Sequence, residues 1–188
     1  MLEHLPKAIG NALRGNRPGV DKLAVNAPEL DTAEVIEVAS PAFADGGALP
    51  ARFTADGEGL SPPLQWNGAP LDACCAVLLV EDADSPTPHP LVHAIAPLLP
   101  ANGDIPEGSL PSAGHPGLTQ MGRNSYFRHD YLPPDPPPAH GTHRYAFELF
   151  ALKEAPQDPS NMGRSALIEW MRGRVLAKGY LIGTYERP

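Results

Sequence analysis

Cysteine is scarce in this chain: two residues in 188, and they are neighbours, Cys74 and Cys75. Adjacent cysteines rarely bridge each other, and no second pair supplies a disulfide framework or a zinc knuckle. Two free thiols point to a reducing compartment, so a cytoplasmic protein is expected. Long apolar runs are lacking too. None approaches the ~20 residues of a membrane span, and the N-terminal MLEHLPKAIGNALRGNRPG has no continuous apolar centre of a signal peptide. Positive charge is short: 14 Lys and Arg against 22 Asp and Glu leave a net charge of −8. That argues against nucleic acid or an anionic membrane as an electrostatic partner. An anion bound here must be attracted by local histidines and backbone N–H groups. The signatures GxxxxGK[ST], GxGxxG, HExxH and GxSxG are all absent, which removes the usual nucleotide, zincin and nucleophile-elbow readings.

Proline and glycine are plentiful, at 24 and 18 residues, and favour short strands joined by shaped loops. A hydrophobic fraction of 42% still supports one sizeable core. Residues 1–33 differ from the rest and read as an N-terminal helical extension to a domain over 34–188. Leu2, Leu5, Ile9 and Leu13 recur near helical spacing, predicting a helix over residues 2–14 that ends at Gly15-Asn16-Arg17-Pro18-Gly19. A helix this short needs a partner, either the domain behind it or a second copy in a homodimer.

From Glu34 the pattern is β. Val35, Ile36 and Val38 predict one strand and Ala51–Thr54 another, while residues 102–120 read as an irregular loop. The apolar runs Ala76–Val80 and Val92–Leu99 suit buried strands. Between them lie Glu81, Asp82 and Asp84 with Pro86, Pro88 and Pro90, and His93 opens the second run. Asp82 and Asp84 stand two apart, so extended backbone turns them to one side. The tight turn after them makes Ser85–Pro86 a candidate cis peptide. Pro133, Pro134, Pro136, Pro137 and Pro138 predict a stiff loop, a rigid wall rather than a ligand for proline-binding domains. His143–Leu152 alternates most clearly, with Tyr145, Phe147, Leu149 and Ala151 on one face. A helix is expected over Arg164–Lys178 and a last strand over Tyr180–Tyr185. The order predicts a mainly β protein, an antiparallel β-sandwich with peripheral helices.

Other chemistries have weaker support. His93 and His143 with Asp82 or Asp84 would be plausible zinc ligands, but the spacing is a poor signal. A Ser–His–Asp hydrolase through Ser85 or Ser125 has less. The acids and histidines could also form a buried hydrogen-bond network with no ligand.

Five stretches together resemble the phosphatidylethanolamine-binding protein family, in its bacterial Raf kinase inhibitor-like branch. They are Phe53–Glu58 with Ser61–Trp66, Asp82–Pro86, His93–Pro100, Gly122-Arg123-Asn124, and Pro136–Tyr145, and they span about residues 34–187. The resemblance implies a β-sandwich with a small anion pocket at one end of the large sheet. It assigns Asp82, Asp84, His93 and His143 to that pocket, with Tyr145 beside them, and implies neither metal nor cofactor. It implies a non-catalytic module for phosphate-like or carboxylate ligands, including a phospholipid headgroup or a phosphorylated partner. A small hydrolase using the Asp/His cluster is the alternative, and the family name invites kinase inhibition, which no residue here demonstrates. The charges can be reconciled if Asp82 or Asp84 accepts from a ring N–H of His93 or His143, raising the imidazole pKa so that the histidines donate to the anion. Leu91-Val92, where relatives carry aromatics, and Leu132-Pro133, where they carry glycines, alter the pocket's shape.

Overall fold

A computed structural model describes residues 6–112, 114, 116–118 and 120–187. The predicted β-rich architecture is present. A large sheet takes strands β1 (Glu34–Val35), β3 (Gly47–Ala48), β5 (Cys75–Asp82), β6 (Leu91–Leu99), β8 (His143–Leu152) and β9 (Val175–Tyr185). A smaller one takes β2 (Glu37–Ala39), β4 (Leu64–Asn67) and β7 (Gly103–Ile105). The large sheet runs β1-β9-β8-β5-β6, antiparallel through β9, β8, β5 and β6, with β1 and β3 both lying parallel to β9.

The alternation along β8 explains the layers. Tyr145, Phe147, Leu149 and Ala151 face a core shared with Leu78 and Val80 of β5 and Leu64 and Trp66 of β4. The opposite face would meet water in a simple sandwich. Here it is covered by α2 (Arg164–Met171) and by residues 20–30, whose Leu23, Ala24, Val25 and Leu30 pack with Leu167, Ile168 and Met171 onto Val77, Leu79, Phe150 and Leu152. β6 is an edge strand, which suits Pro97 within it. Its outer edge is closed by residues 122–132: Gly122 N–H donates to Ile95 O, Ser125 N–H to Val92 O and Leu132 N–H to His93 O.

Several expectations need correction. The predicted strand at 35–38 breaks at buried Ile36, so its two halves join different sheets. Ala51–Phe53 is a 3-10 turn, with Phe53 N–H donating to Pro50 O. The late helix stops at Met171 because Gly173 takes φ +67, and Val175 and Leu176 belong to β9. The loop after β6 contains β7. Ser85–Pro86 is trans, as the described residues include no cis peptide. At the N-terminus α1 spans Lys7–Leu13. Leu2 and Leu5 of its expected stripe lie outside the described residues, and Ile9 is 41% exposed. Contact is made instead at Gly10, where a Cβ would fall 2.0 Å from Pro138 O. The helix therefore seats backbone-close on its own domain.

The covered face encloses two acids, Glu81 and Glu148, both at 0% exposure. Glu81 accepts from Arg164 Nε at 2.5 Å and Ala24 N–H at 2.9 Å, and Glu148 accepts from Val25 N–H at 2.5 Å. Burial, reinforced by the adjacent Glu81 carboxylate, pushes Glu148 well above the usual carboxylate range. The native state thus keeps a proton that the unfolded chain releases, so stability falls as pH rises above the unfolded value, by up to about 1.4 kcal/mol per unit. Glu148→Gln mimics the protonated acid. In urea unfolding it is expected to flatten that slope between about pH 5 and 8 and to gain stability relative to the parent; parallel slopes would contradict the assignment.

Candidate functional site

The ends of three neighbouring strands converge on one spot. Asp82 closes β5, His143 opens the adjacent β8, and His93 lies near the start of β6. Asp82 Oδ2 meets His143 Nδ1 at 2.7 Å, the partnership anticipated from residue type. The other nitrogen, Nε2 of His143, lies 2.7 Å from His140 Nδ1, and His140 Nε2 lies 2.9 Å from Leu13 O. A carbonyl only accepts, so His140 Nε2 carries a proton and, with burial holding this imidazole below its usual range, Nδ1 accepts from His143. Three hydrogen bonds need three protons, and two neutral imidazoles supply only two. The remaining proton lies between His143 and Asp82, which makes the pair neutral as a unit. Both nitrogens of His143 are thereby occupied, and it has no N–H left for a ligand.

Asp84 does not share Asp82's surroundings. β5 ends at Asp82 and the chain turns, Asp84 N–H donating to Asp82 Oδ1 at 2.8 Å. The i, i+2 argument requires extended backbone and fails at the strand end. The Asp84 carboxylate is gripped by Arg144, through Nε and Nη2 both at 2.7 Å and N–H at 2.9 Å, with Arg17 Nη1 at 3.1 Å. Burial opposes its charge, but the Arg144 hydrogen bonds outweigh that and hold its carboxyl below the usual range. It pairs with arginine rather than histidine. Arg17 also donates to Thr142 O and His140 O, tying the segment after α1 to the strand end.

Tyr145 is 1% exposed and lies beneath the histidines, edge-on to His93 at 5.2 Å and stacked on His143 at 6.2 Å between ring centroids, with no partner for its hydroxyl. His93 is 4% exposed. Its Nδ1 donates to Leu132 O at 2.6 Å, which leaves Nε2 as a bare acceptor without a partner. Burial, outweighing the nearby Asp82 carboxylate, holds His93 below the usual imidazole range. The histidine cluster is therefore not the set of cationic donors the sequence suggested. Low dielectric disfavours charge on His93, and His143 is occupied.

Above these residues opens a cavity of about 310 Å³, bordered by Asp82, His93 and His143 but by neither Asp84 nor Tyr145. Pro133, Pro136 and Pro137 form one wall, as the proline run predicts. Arg187 anchors that wall, donating to Asp56, to Asp135 Oδ1 at 2.7 Å and to Pro136 O at 2.8 Å. The opposite rim carries Ser112, Tyr126 and Arg128. Its loop is organised by Asn124, whose Oδ1 accepts from Tyr126 N–H and Arg128 N–H, each at 3.0 Å. Ser112 Oγ is buried and unpartnered. Among the described residues no cluster of three or more His, Cys, Asp or Glu is arranged to hold a metal ion.

A family model described as phosphatidylethanolamine-binding protein matches residues 39–186. The chain belongs to the phosphatidylethanolamine-binding protein family. A UPF0098 protein of Methanothermobacter thermautotrophicus is 36% identical over 147 residues, 78% of this chain and 95% of that protein. A UPF0098 protein of Mycobacterium tuberculosis is 34% identical over 175 residues, 90% and 79% of the two chains. A crystal structure of a homologue from Chlamydia trachomatis superposes with a TM-score of 0.73 at 31% identity, covering 83% of this chain and all 100% of that one. Escherichia coli YbcL shares the fold, with a TM-score of 0.71 at 23% identity over 81% of this chain and 99% of its own. The family match starts after α1, Arg17 and the 20–30 strap, so those supports lie outside it.

Sequence reasoning missed His140, Arg17, Ser112, Arg128 and Asp135. Each contacts the site from a loop or from a distant part of the chain, and none carries a periodic signal. Arg144, next to His143 in the chain and hydrogen-bonded directly to Asp84, is the most consequential of the supports. Arg144→Ala removes both side-chain hydrogen bonds to a buried carboxylate, leaving it the backbone N–H and Arg17, and is expected to cost about 1.5–3 kcal/mol in chemical unfolding. Asp84's contribution is present above about pH 3.9 and is lost as pH falls through its lowered folded value. Acid unfolding followed by circular dichroism should therefore begin at higher pH in this variant; an unchanged acid midpoint would count against the assignment.

Proposed function

We propose that the chain is a non-catalytic binding module whose cavity takes a small phosphate- or carboxylate-bearing ligand, from a phospholipid headgroup or a phosphorylated partner. The observation that carries this reading is the pair of unpartnered polar atoms bordering one cavity, His93 Nε2 and Ser112 Oγ, with the Arg128 guanidinium at the rim. Buried polar groups are almost always satisfied, so two orphans on one cavity favour a ligand that satisfies them. Arg128 directs Nη2 to Asp130, and a guanidinium has further donors to offer an oxyanion. The family's description supports the same class of ligand.

Binding is favoured over turnover by how the acids and bases are engaged. Both nitrogens of His143 are engaged, one by Asp82 and the other by His140, so it has no free nitrogen to serve as a base. Ser85 Oγ bonds Thr87 Oγ1 at 2.7 Å, and Ser125 Oγ accepts from Val92 N–H at 2.8 Å, so neither serine is hydrogen-bonded to an imidazole. Cys74 and Cys75 are both free thiols, which suits a reducing, cytoplasmic setting. No described helix is long and apolar enough to cross a membrane.

Calorimetric titration with methyl phosphate tests the reading. Arg128→Ala is expected to weaken binding about tenfold or more, the range of one charge-assisted hydrogen bond. Ser112→Ala should weaken it less, and p-nitrophenyl phosphate and acetate esters should not be hydrolysed. Ester turnover that disappears in Asp82→Asn would establish the hydrolase alternative instead.

A further inference from the structure

We infer that the cavity takes its oxyanion together with one proton, held between His93 Nε2 and a ligand oxygen. This rests on the binding reading above and adds the protonation state in which the ligand is recognised. The Leu132 carbonyl cannot donate, so its 2.6 Å contact places the proton of a neutral His93 on Nδ1 and leaves a lone pair at Nε2. A fully deprotonated phosphate oxygen also offers only lone pairs, and two acceptors repel across a hydrogen-bond distance.

The groups packed against His93 do not supply the missing proton, and Ser112 Oγ, the other unpartnered atom on the cavity, is not hydrogen-bonded to Nε2. From β5, Asp82 already shares one with His143. From β8, His143 has its second nitrogen on His140, and Tyr145 does not border the cavity. From the proline-rich loop, Asp135 is an acceptor held by Arg187, and Tyr131 is 1% exposed with its hydroxyl 3.5 Å from Phe53 O. The proton therefore comes from solvent and ends on His93 Nε2 or on the ligand as a P–OH. Burial that favours neutral His93 in the free protein accounts for uptake occurring only with the ligand. The species recognised is a phosphate ester monoanion opposite a neutral imidazole, or an anionic ester opposite an imidazolium. Both contain the same single proton.

Calorimetry of the full chain at about pH 8, in two buffers of different ionisation enthalpy, counts that proton directly. Methyl phosphate, a monoester whose second pKa is near about 6, and dimethyl phosphate, a diester with no titratable proton, are the probes. Uptake close to one proton per bound ligand is expected, with affinity falling about tenfold for each pH unit above neutrality. Binding of methyl phosphate alone, with its proton, identifies a phosphomonoester as the source. Binding of dimethyl phosphate as well, also with a proton, identifies a diester of the kind found in lipid headgroups. Binding without proton uptake overturns the inference and leaves the binding reading standing. Absence of heat and of any ³¹P shift with both probes overturns the binding reading itself. His93→Gln, whose amide donates without titrating, should bind methyl phosphate with an affinity flat above neutrality. Persistence of the parent's pH slope in that variant would put the proton elsewhere and overturn the inference.

Discussion

The hydrogen bond between Asp82 and His143 is the constraint on which the site depends. Pairing of β5 with β8 brings the end of one strand beside the start of the other, and the 2.7 Å contact joins them. Once it forms, His143 Nε2 is turned to His140, and His140 to the backbone of α1. The proton count along that chain requires the Asp82–His143 pair to be neutral as a unit. This bears on the proposed anion site, where carboxylates would otherwise be out of place: the acid nearest the cavity has its charge balanced locally. It also leaves His93, whose Nε2 has no competing partner, rather than His143 with an open nitrogen at the cavity.

The same economy of partners governs the far face of the large sheet. A sandwich needs only one buried face per sheet, yet β8 is buried along nearly its whole length because α2 and residues 20–30 cover its back. Covering that face encloses Glu81 and Glu148. Arg164 and Ala24 N–H hold Glu81, and Val25 N–H holds one oxygen of Glu148 while Oε1 has no partner, so the strap is held by polar as well as apolar contacts. The N-terminal region thus touches the molecule twice: the strap on the back of the sheet, and α1 with Arg17 beneath the site. The cavity end and the back of the large sheet are thus linked through one stretch of chain.

Legibility followed the range of the interactions. The extent of β8, the runs that became β5 and β6, and the proline wall could be read locally, because alternation and proline geometry are properties of neighbouring residues. Ala51–Thr54 resembles a strand although Ala51–Phe53 forms a 3-10 turn, and Val175 and Leu176 keep the helical spacing that follows Arg164 while belonging to β9. At the site, Asp82, His93 and His143 were identifiable by type and by the motifs around them. Asp84 was placed with Asp82 on a periodicity that ends where the strand ends.

By itself the sequence determined which residues could do chemistry here: the local patterns set the strands, and the strands set which side chains stand at their ends. Tertiary structure alone decided which of those side chains remained available. Hydrogen-bonding capacity is finite, and its allocation depends on residues far apart in the chain. Leu13 and His140 occupy His143, Arg17 and Arg144 occupy Asp84, and Leu132 sets the tautomer of His93. Spacing along a chain carries no record of those meetings, which is why the candidate donor His143 and the true open nitrogen of His93 could be told apart only in three dimensions.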